Sequence, residues 1–363
     1  MENNRLKSLD ALRGFDMLLI MGFASLVFDV CQLWPSGGTC WLARQMSHTS
    51  WHGFTLYDTI FPLFLFISGM TFPFSLAKRR EQGLSDGSTV KKVLVRALIM
   101  VALGVVYNGF FELKFATMRF YSVLGRIGVA WALAALLYIR LSWKPRAIIA
   151  GVILIGYNLL LLIGAPDRPG ADPQSLEGNI VGYVDRLIMP NHLLYSSGFD
   201  PEGLLSTLPA IVTAMLGQFA GEFVKGGRAK NKTLWLFAGA AVLLGVGLIW
   251  NIWFPVNKKL WTSSFVLVVA AYSLAMFALF YYLIDVRGWK KWAFPLEVIG
   301  LNSITIYMVQ RIISIPSANR FFLDGVAGMV SEPVAAVIYA TGYVILCWLL
   351  LYFLYRKKVF LKV

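Results

Sequence analysis

Residues Thr55 to Ala77 read TLYDTIFPLFLFISGMTFPFSLA, and after Asp58 the run contains no acidic or basic side chain. At 1.5 Å per residue, about 20 apolar residues cross the roughly 30 Å of hydrocarbon in a bilayer. The apolar residues are continuous and do not alternate, which selects a helix over a strand of a membrane barrel. Working outward, the same reading predicts ten spans, at 13–31, 55–77, 91–111, 122–141, 147–164, 204–224, 233–254, 261–284, 294–313 and 333–355. The expected fold is all-α, a polytopic integral membrane protein of about ten transmembrane helices forming a single domain over 1–363.

Composition agrees. Of 363 residues, 58% are hydrophobic, 15% aromatic and only 14% charged, against about a quarter charged in soluble domains. A water-soluble design and a disordered chain are both excluded. The formal net charge of +14 would suit a nucleic-acid surface if the cations were clustered. They are instead distributed among alternate connections. With the N-terminus inside, most of the Lys and Arg residues fall on the inner face: Arg5 and Lys7, Lys78 to Arg80, Lys91 and Lys92, Arg140 to Arg146, Lys225 to Lys232 including Arg228, Arg287 to Lys291, and Arg356 to Lys362. That asymmetry orients membrane proteins. Both termini are therefore expected in the cytoplasm, and no nucleic-acid partner is expected. The first run lacks a small-residue cleavage site and reads as an uncleaved helix.

Two non-helical segments face outward, about 32–54 and 165–203. The three histidines, His48, His52 and His192, all fall in them, and imidazole is the side chain suited to proton transfer near neutrality. His48 and His52 bracket Trp51 just ahead of the second span; equally, such a loop would seat its rings at headgroup level. Asp58 lies about one turn inside that span, where an ionisable residue marks a functional site. A carboxylate ten residues after His48 could orient its imidazole. Pro62 in the same run would free a carbonyl and bend the helix.

Asp10 and Arg13 are spaced for an i,i+3 pair, while Glu222 and Arg96 sit where charged groups snorkel. Asn302, Ser303, Tyr307, Gln310 and Arg311 crowd polar groups into the ninth span. Asp200 and Glu202 either complement the helix that follows or hold a cationic sugar amine. Asn257, Lys258 and Trp261 occupy a short outer connection and could contact a polar ligand. Cys31 and Cys40 near the first outer loop could pair if that face is oxidising. No metal-ligand spacing is present, so no metal cofactor is expected.

These residues carry a resemblance. Arg5-Leu6-Lys7-Ser8-Leu9-Asp10-Ala11-Leu12-Arg13-Gly14, His48-Thr49-Ser50-Trp51-His52-Gly53-Phe54-Thr55 with Asp58, Phe199-Asp200-Pro201-Glu202-Gly203-Leu204-Leu205, Pro255-Val256-Asn257-Lys258-Lys259-Leu260-Trp261 and Gly300-Leu301-Asn302-Ser303-Ile304 follow one another as they do in the heparan-alpha-glucosaminide N-acetyltransferase family of transmembrane acyltransferases, which the chain resembles. The resemblance implies a bacterial inner-membrane enzyme taking acetyl from cytoplasmic acetyl-CoA to the amine of a glucosamine-like acceptor outside. It implies His48 as the catalytic histidine. The sequence departs from the animal members at Ala24 and Gln310, where they carry asparagine and histidine, which bears on the substrate and on the number of acid-base groups; a chain this compact looks more like the bacterial relatives, for which a free amino sugar or cell-wall fragment is the implied acceptor.

In this reading His48 is the base and Asp58 orients it. Trp51, His52, Asp200, Glu202, Asn257, Lys258, Asn302 and Ser303 contact the acceptor or the reacting carbonyl. Arg13, Arg96 and Lys230 meet the acetyl-CoA phosphates. The expected partners are acetyl-CoA, the amino sugar and the lipid bilayer, with a homodimer as one assembly. Two alternatives stand beside it: a transporter or flippase of a sugar or lipid-linked substrate, and an O-acyltransferase of a cell-surface glycan.

Overall fold

The computed structural model describes residues 6–196, 198–227 and 230–361. Arg5, Arg228 and Lys362 lie outside the described residues. Among the described residues, fifteen α-helices account for most of the chain. They are α1 Lys7–Leu18, α2 Ala24–Leu33, α3 Gly37–Gln45, α4 Ile60–Glu81, α5 Asp86–Tyr107, α6 Val123–Arg140, α7 Trp143–Leu161, α8 Ile180–Ile188, α9 Thr207–Lys225, α10 Lys232–Trp250, α11 Ser263–Phe280, α12 Phe294–Leu301, α13 Ser303–Ile312, α14 Ile315–Ala327 and α15 Glu332–Arg356. Among the described residues there is no strand, only two isolated bridges, Gly164 with Asn179 and Ser196 with Phe199.

Among the described residues, eight helical stretches are long and apolar enough to cross a membrane: Lys7–Leu33, Leu56–Glu81, Val123–Arg140, Trp143–Leu161, Thr207–Lys225, Lys232–Trp250, Ser263–Val286 and Glu332–Arg356. The other two expected runs fall on α5 and on α12 with α13. Helix α5 is long enough but carries Lys91, Lys92 and Arg96. The run 294–313 is not one helix, because Asn302 leaves helical geometry at φ −127°, ψ 32°. Its side chain is committed elsewhere: Nδ2 donates to Val359 O at 3.0 Å, and Oδ1 accepts from Leu361 N at 3.2 Å.

Pro62 does not bend the second span. It lies in the first turn of α4, where the absent N–H costs no hydrogen bond, and the interior proline of that helix is Pro73. The first span is interrupted, with a π-helical turn at Leu19–Phe23 joining α1 to α2. Gly22 adopts φ +110° there with the Tyr343 ring against it, so only glycine fits.

Of the described residues, 6–50, 54–60 and 276–361 form one compact unit and 51–53 with 61–275 another. In the first unit, Met17, Met21, Val298, Ile299, Ile306, Cys347 and Leu351 make the core. A Cβ at Gly14 would collide with the Leu296 carbonyl, and one at Gly300 with that of Asp10, so α1 and α12 meet backbone to backbone, as small residues permit. The second unit uses the same device, with Gly69 against the Ala214 carbonyl and Gly217 against that of Phe66. Its other core gathers Tyr157, Leu161, Ile180, Val181, Phe199 and Leu260.

Gly217→Ala is expected to push α9 off α4 and destabilise the protein by about 1–3 kcal/mol. Gly156→Ala, with nothing within 4 Å of the added methyl, is expected to leave the midpoint unchanged or raise it. Thermal unfolding in detergent compares the two, and equal midpoints would contradict the close crossing.

Candidate functional site

Residues 47–50 and 54–59, both in the first unit, fold back on one another. Thr55 is extended and precedes a 3₁₀ turn, Leu56–Thr59, that leads into α4. That turn delivers Asp58 to the loop before it. His48 Nδ1 lies 2.8 Å from Asp58 Oδ1, with the His48 side chain 53% exposed and that of Asp58 1%. A carboxylate has only acceptors, so Nδ1 carries the hydrogen of this contact, and in a neutral ring Nε2 is the nitrogen with the lone pair. The Tyr57 ring lies 4.7 Å from the imidazole. The remaining oxygen, Asp58 Oδ2, accepts from Thr49 N at 3.3 Å, Thr49 Oγ1 at 3.1 Å and Thr55 Oγ1 at 3.0 Å. This arrangement can take a proton at Nε2 while the imidazole is held by its other nitrogen.

In the second unit, Trp51 Nε1 donates to Gln174 O at 2.8 Å, and the Trp51 ring meets Phe199 edge-on. Lys259 Nζ sits 5.9 Å from the Trp51 ring centre. Gly53, at φ +120°, donates its N–H to Val256 O at 2.8 Å. Asn257 is fully buried, and its Oδ1 accepts from Leu260 N at 2.9 Å, closing the short connection. Asn257 Nδ2 donates to His52 Nδ1 across 3.4 Å. Burial pulls the His52 imidazole below its ordinary value, against the opposing pull of Asp172, which favours the neutral ring that such a bond needs. Lys258 is half-buried in the same turn.

Asp200 and Glu202 are already engaged. Arg119 Nε donates to Asp200 Oδ2 at 2.7 Å, its Nη2 to Asp200 Oδ1 at 2.5 Å, and Nη2 also pairs with Glu202. Burial works against the Arg119 charge, but the hydrogen bonds and charges of the two acids outweigh it and raise its pKa. Asp185 from α8 lies beneath this loop and accepts from Asp200 N at 3.1 Å. Burial pushes the Asp185 carboxyl up to about 7. Arg126, buried within α6, donates to Gly203 O at 3.2 Å and pairs with Ser206, its guanidinium 5.1 Å from the Trp261 ring centre.

The remaining candidates are dispersed. Asn302 and Ser303 lie at the junction of α12 and α13, beside the chain that follows α15, and the structure does not bring them to the Asp58 carboxylate. Arg13 pairs with Asp10 at 3.5 Å. Arg96 stacks 4.4 Å from the Trp131 ring centre, and Lys230 is exposed ahead of α10. Glu222 is bonded by Arg146 Nη2 at 2.6 Å. Cys31 and Cys40 are free thiols, and His192 is exposed in a short turn. Sequence reasoning missed Thr49, Thr55, Arg119 and Arg126. Only Arg126 left a signal, an arginine inside an apolar run.

A family model described as an acyltransferase domain matches residues 6–352. Heparan-alpha-glucosaminide N-acetyltransferase of Homo sapiens is 26% identical over 423 residues, covering 99% of this chain and 60% of that protein. Its counterpart in Mus musculus is 27% identical over 427 residues, covering 99% of this chain and 61% of its own. The chain thus spans less than two thirds of the length of these curated relatives.

Asp185 gives a signed pH prediction. Its folded value of about 7 lies above the ordinary 3.8, so the native state holds the extra proton, and the stabilisation is complete at low pH and lost as pH rises through about 7. Asp185→Asn is expected to flatten that fall and to be more stable than the parent near pH 8. Proteolysis of the 165–203 segment at several pH values reads this, and parallel profiles would contradict it.

Proposed function

This chain belongs to the acyltransferase domain family, and on that premise we propose that it is a transmembrane N-acetyltransferase carrying acetyl from cytoplasmic acetyl-CoA to the amine of a glucosamine-like sugar on the opposite face. The observation that carries the proposal is the 2.8 Å contact of His48 Nδ1 with the buried Asp58 carboxylate. The names of the human and mouse relatives support the choice of an amino sugar.

The chemistry needs such a pair. A protonated amine has no lone pair, so His48 Nε2 removes a proton from the acceptor ammonium and Asp58 stabilises the resulting imidazolium. The free amine attacks the thioester carbonyl, forming the C–N bond. The tetrahedral adduct then expels the thiolate, which leaves as thiol with the imidazolium proton, while the amide nitrogen loses its second proton to water. Direct transfer is the simpler course, because holding two reactants together already supplies much of the rate.

The proposed topology has ten crossings, with α5 and the broken pair α12 and α13 as the other two, and both termini cytoplasmic. The nucleotide of acetyl-CoA is a polyanion that hydrocarbon excludes, and the basic inner connections suit it, with Arg13, Arg96 and Lys230 as proposed phosphate contacts. Trp51 and His52 follow His48 by three and four residues and, with Asn257 and Lys258, offer an aromatic face and polar groups to a sugar. Asp200 and Glu202 are proposed to shape that region through Arg119, not as a free amine site. A bacterial inner membrane is the proposed location. O-acylation of a glycan hydroxyl is the second reading, favoured by the breadth of the family match, since the same base would activate a hydroxyl.

His48→Ala is expected to reduce transfer to background, and Asp58→Asn to lower turnover by about 10⁴-fold, the loss expected when an orienting carboxylate becomes an amide. Labelled acetyl-CoA supplied to vesicles of either orientation with glucosamine reads the face used and the atom acetylated. Label on oxygen alone favours the second reading, undiminished transfer by His48→Ala overturns His48 as the base, and absence of labelled sugar with the parent protein overturns both readings.

A further inference from the structure

Thr55 occupies the position before a helical turn at which a threonine ordinarily accepts a hydrogen bond from the backbone two or three residues on. Its hydroxyl makes no such cap. Instead Thr55 Oγ1 lies 3.0 Å from Asp58 Oδ2 and 2.7 Å from Ser47 O, the carbonyl immediately before His48. Both partners are acceptors, so the single hydroxyl proton is shared between them in a three-centre bond. Thr55 is buried, so no bulk water replaces either bond.

Resting on the acyl-transfer reading above, we propose that Thr55 is the positioning residue of the His48–Asp58 pair. Its hydroxyl bridges the carboxylate to the loop that bears the histidine and fixes the imidazole against Asp58. Thr49 assists from the loop side, where its N–H and hydroxyl both reach Asp58 Oδ2. Thr49 retains its N–H in any substitution other than proline, so its hydroxyl is partly redundant. The Thr55 hydroxyl has no such substitute, because no backbone group of Thr55 bonds the carboxylate oxygen in its place. A departure from the local capping rule is the kind of inconsistency that functional geometry imposes.

The test uses the purified full chain with acetyl-CoA and glucosamine, alongside thermal unfolding. Thr55→Val keeps the shape and removes the hydroxyl; turnover is expected to fall by about 10- to 100-fold, the scale of a 1 Å misplacement, with KM for acetyl-CoA unchanged. Thr55→Ser restores the hydroxyl and most of the turnover. In an Asp58→Asn background, Thr55→Val is expected to cost little more, because residues acting through one another are not additive. Wild-type turnover in Thr55→Val, equal defects in the valine and serine variants, or losses that multiply with Asp58→Asn each overturn the proposal. Should Thr55→Val fail to fold, Thr55→Ser against Thr55→Ala supplies the same contrast. Failure of the acyl-transfer reading itself is distinguished by the parent protein, which would then pass no label from acetyl-CoA to the sugar.

Discussion

Hydrocarbon offers no hydrogen bonds, and this one property disciplines the whole chain. Backbone groups within the bilayer must pair internally, so the apolar runs become helices. Where a helix is broken, something must satisfy the exposed groups or occupy the gap. At Asn302 the backbone N–H and C=O are met by Ile299 and Ile306, and its side chain ties the break to Val359 and Leu361 beyond α15; at the Leu19–Phe23 turn, Gly22 admits the Tyr343 ring instead. Charged groups obey the same rule. Arg146 is buried against Glu222, and Arg119 against Asp200 and Glu202, because an unpaired buried charge costs several kcal/mol.

What could be read from sequence follows the range of each interaction. Continuous runs such as Thr55 to Ala77 announce themselves, and eight stretches of the expected length and apolarity appear. The break at Asn302 was hidden, since its partners lie almost sixty residues later and no local pattern marks them. Pro62 was misread for a related reason. Proline bends a helix only in its interior, and where α4 begins depends on the 3₁₀ turn at Leu56–Thr59, which apolar periodicity does not resolve.

The candidate site divides along the same line. His48 and Asp58 could be paired from spacing and from the oddity of a carboxylate within an apolar run. Thr49 and Thr55 could not, because a threonine beside a helix start reads as an ordinary cap. Asp200 and Glu202 were visible as acids, but Arg119 stands some eighty residues earlier. Without that partner the two acids look available for a cation. With it, their charge is spent on holding the Phe199 to Gly203 loop over Asp185.

This contrast in range bears on how such a protein can diversify. The His48–Asp58 pair and its threonines are all supplied by the segment from Ser47 to Asp58, so its geometry depends on local chain conformation. The turn at Asn257 and the loop held by Arg119 are assembled from residues distant in sequence, including Gln174, Asp185 and Phe199. The donors to Asp58 Oδ2 described above, Thr49 and Thr55, come from the local segment and not from those loops. On the proposed reading, one local base then serves many acceptors, and the identity of the sugar is set by long-range contacts that no short motif reveals.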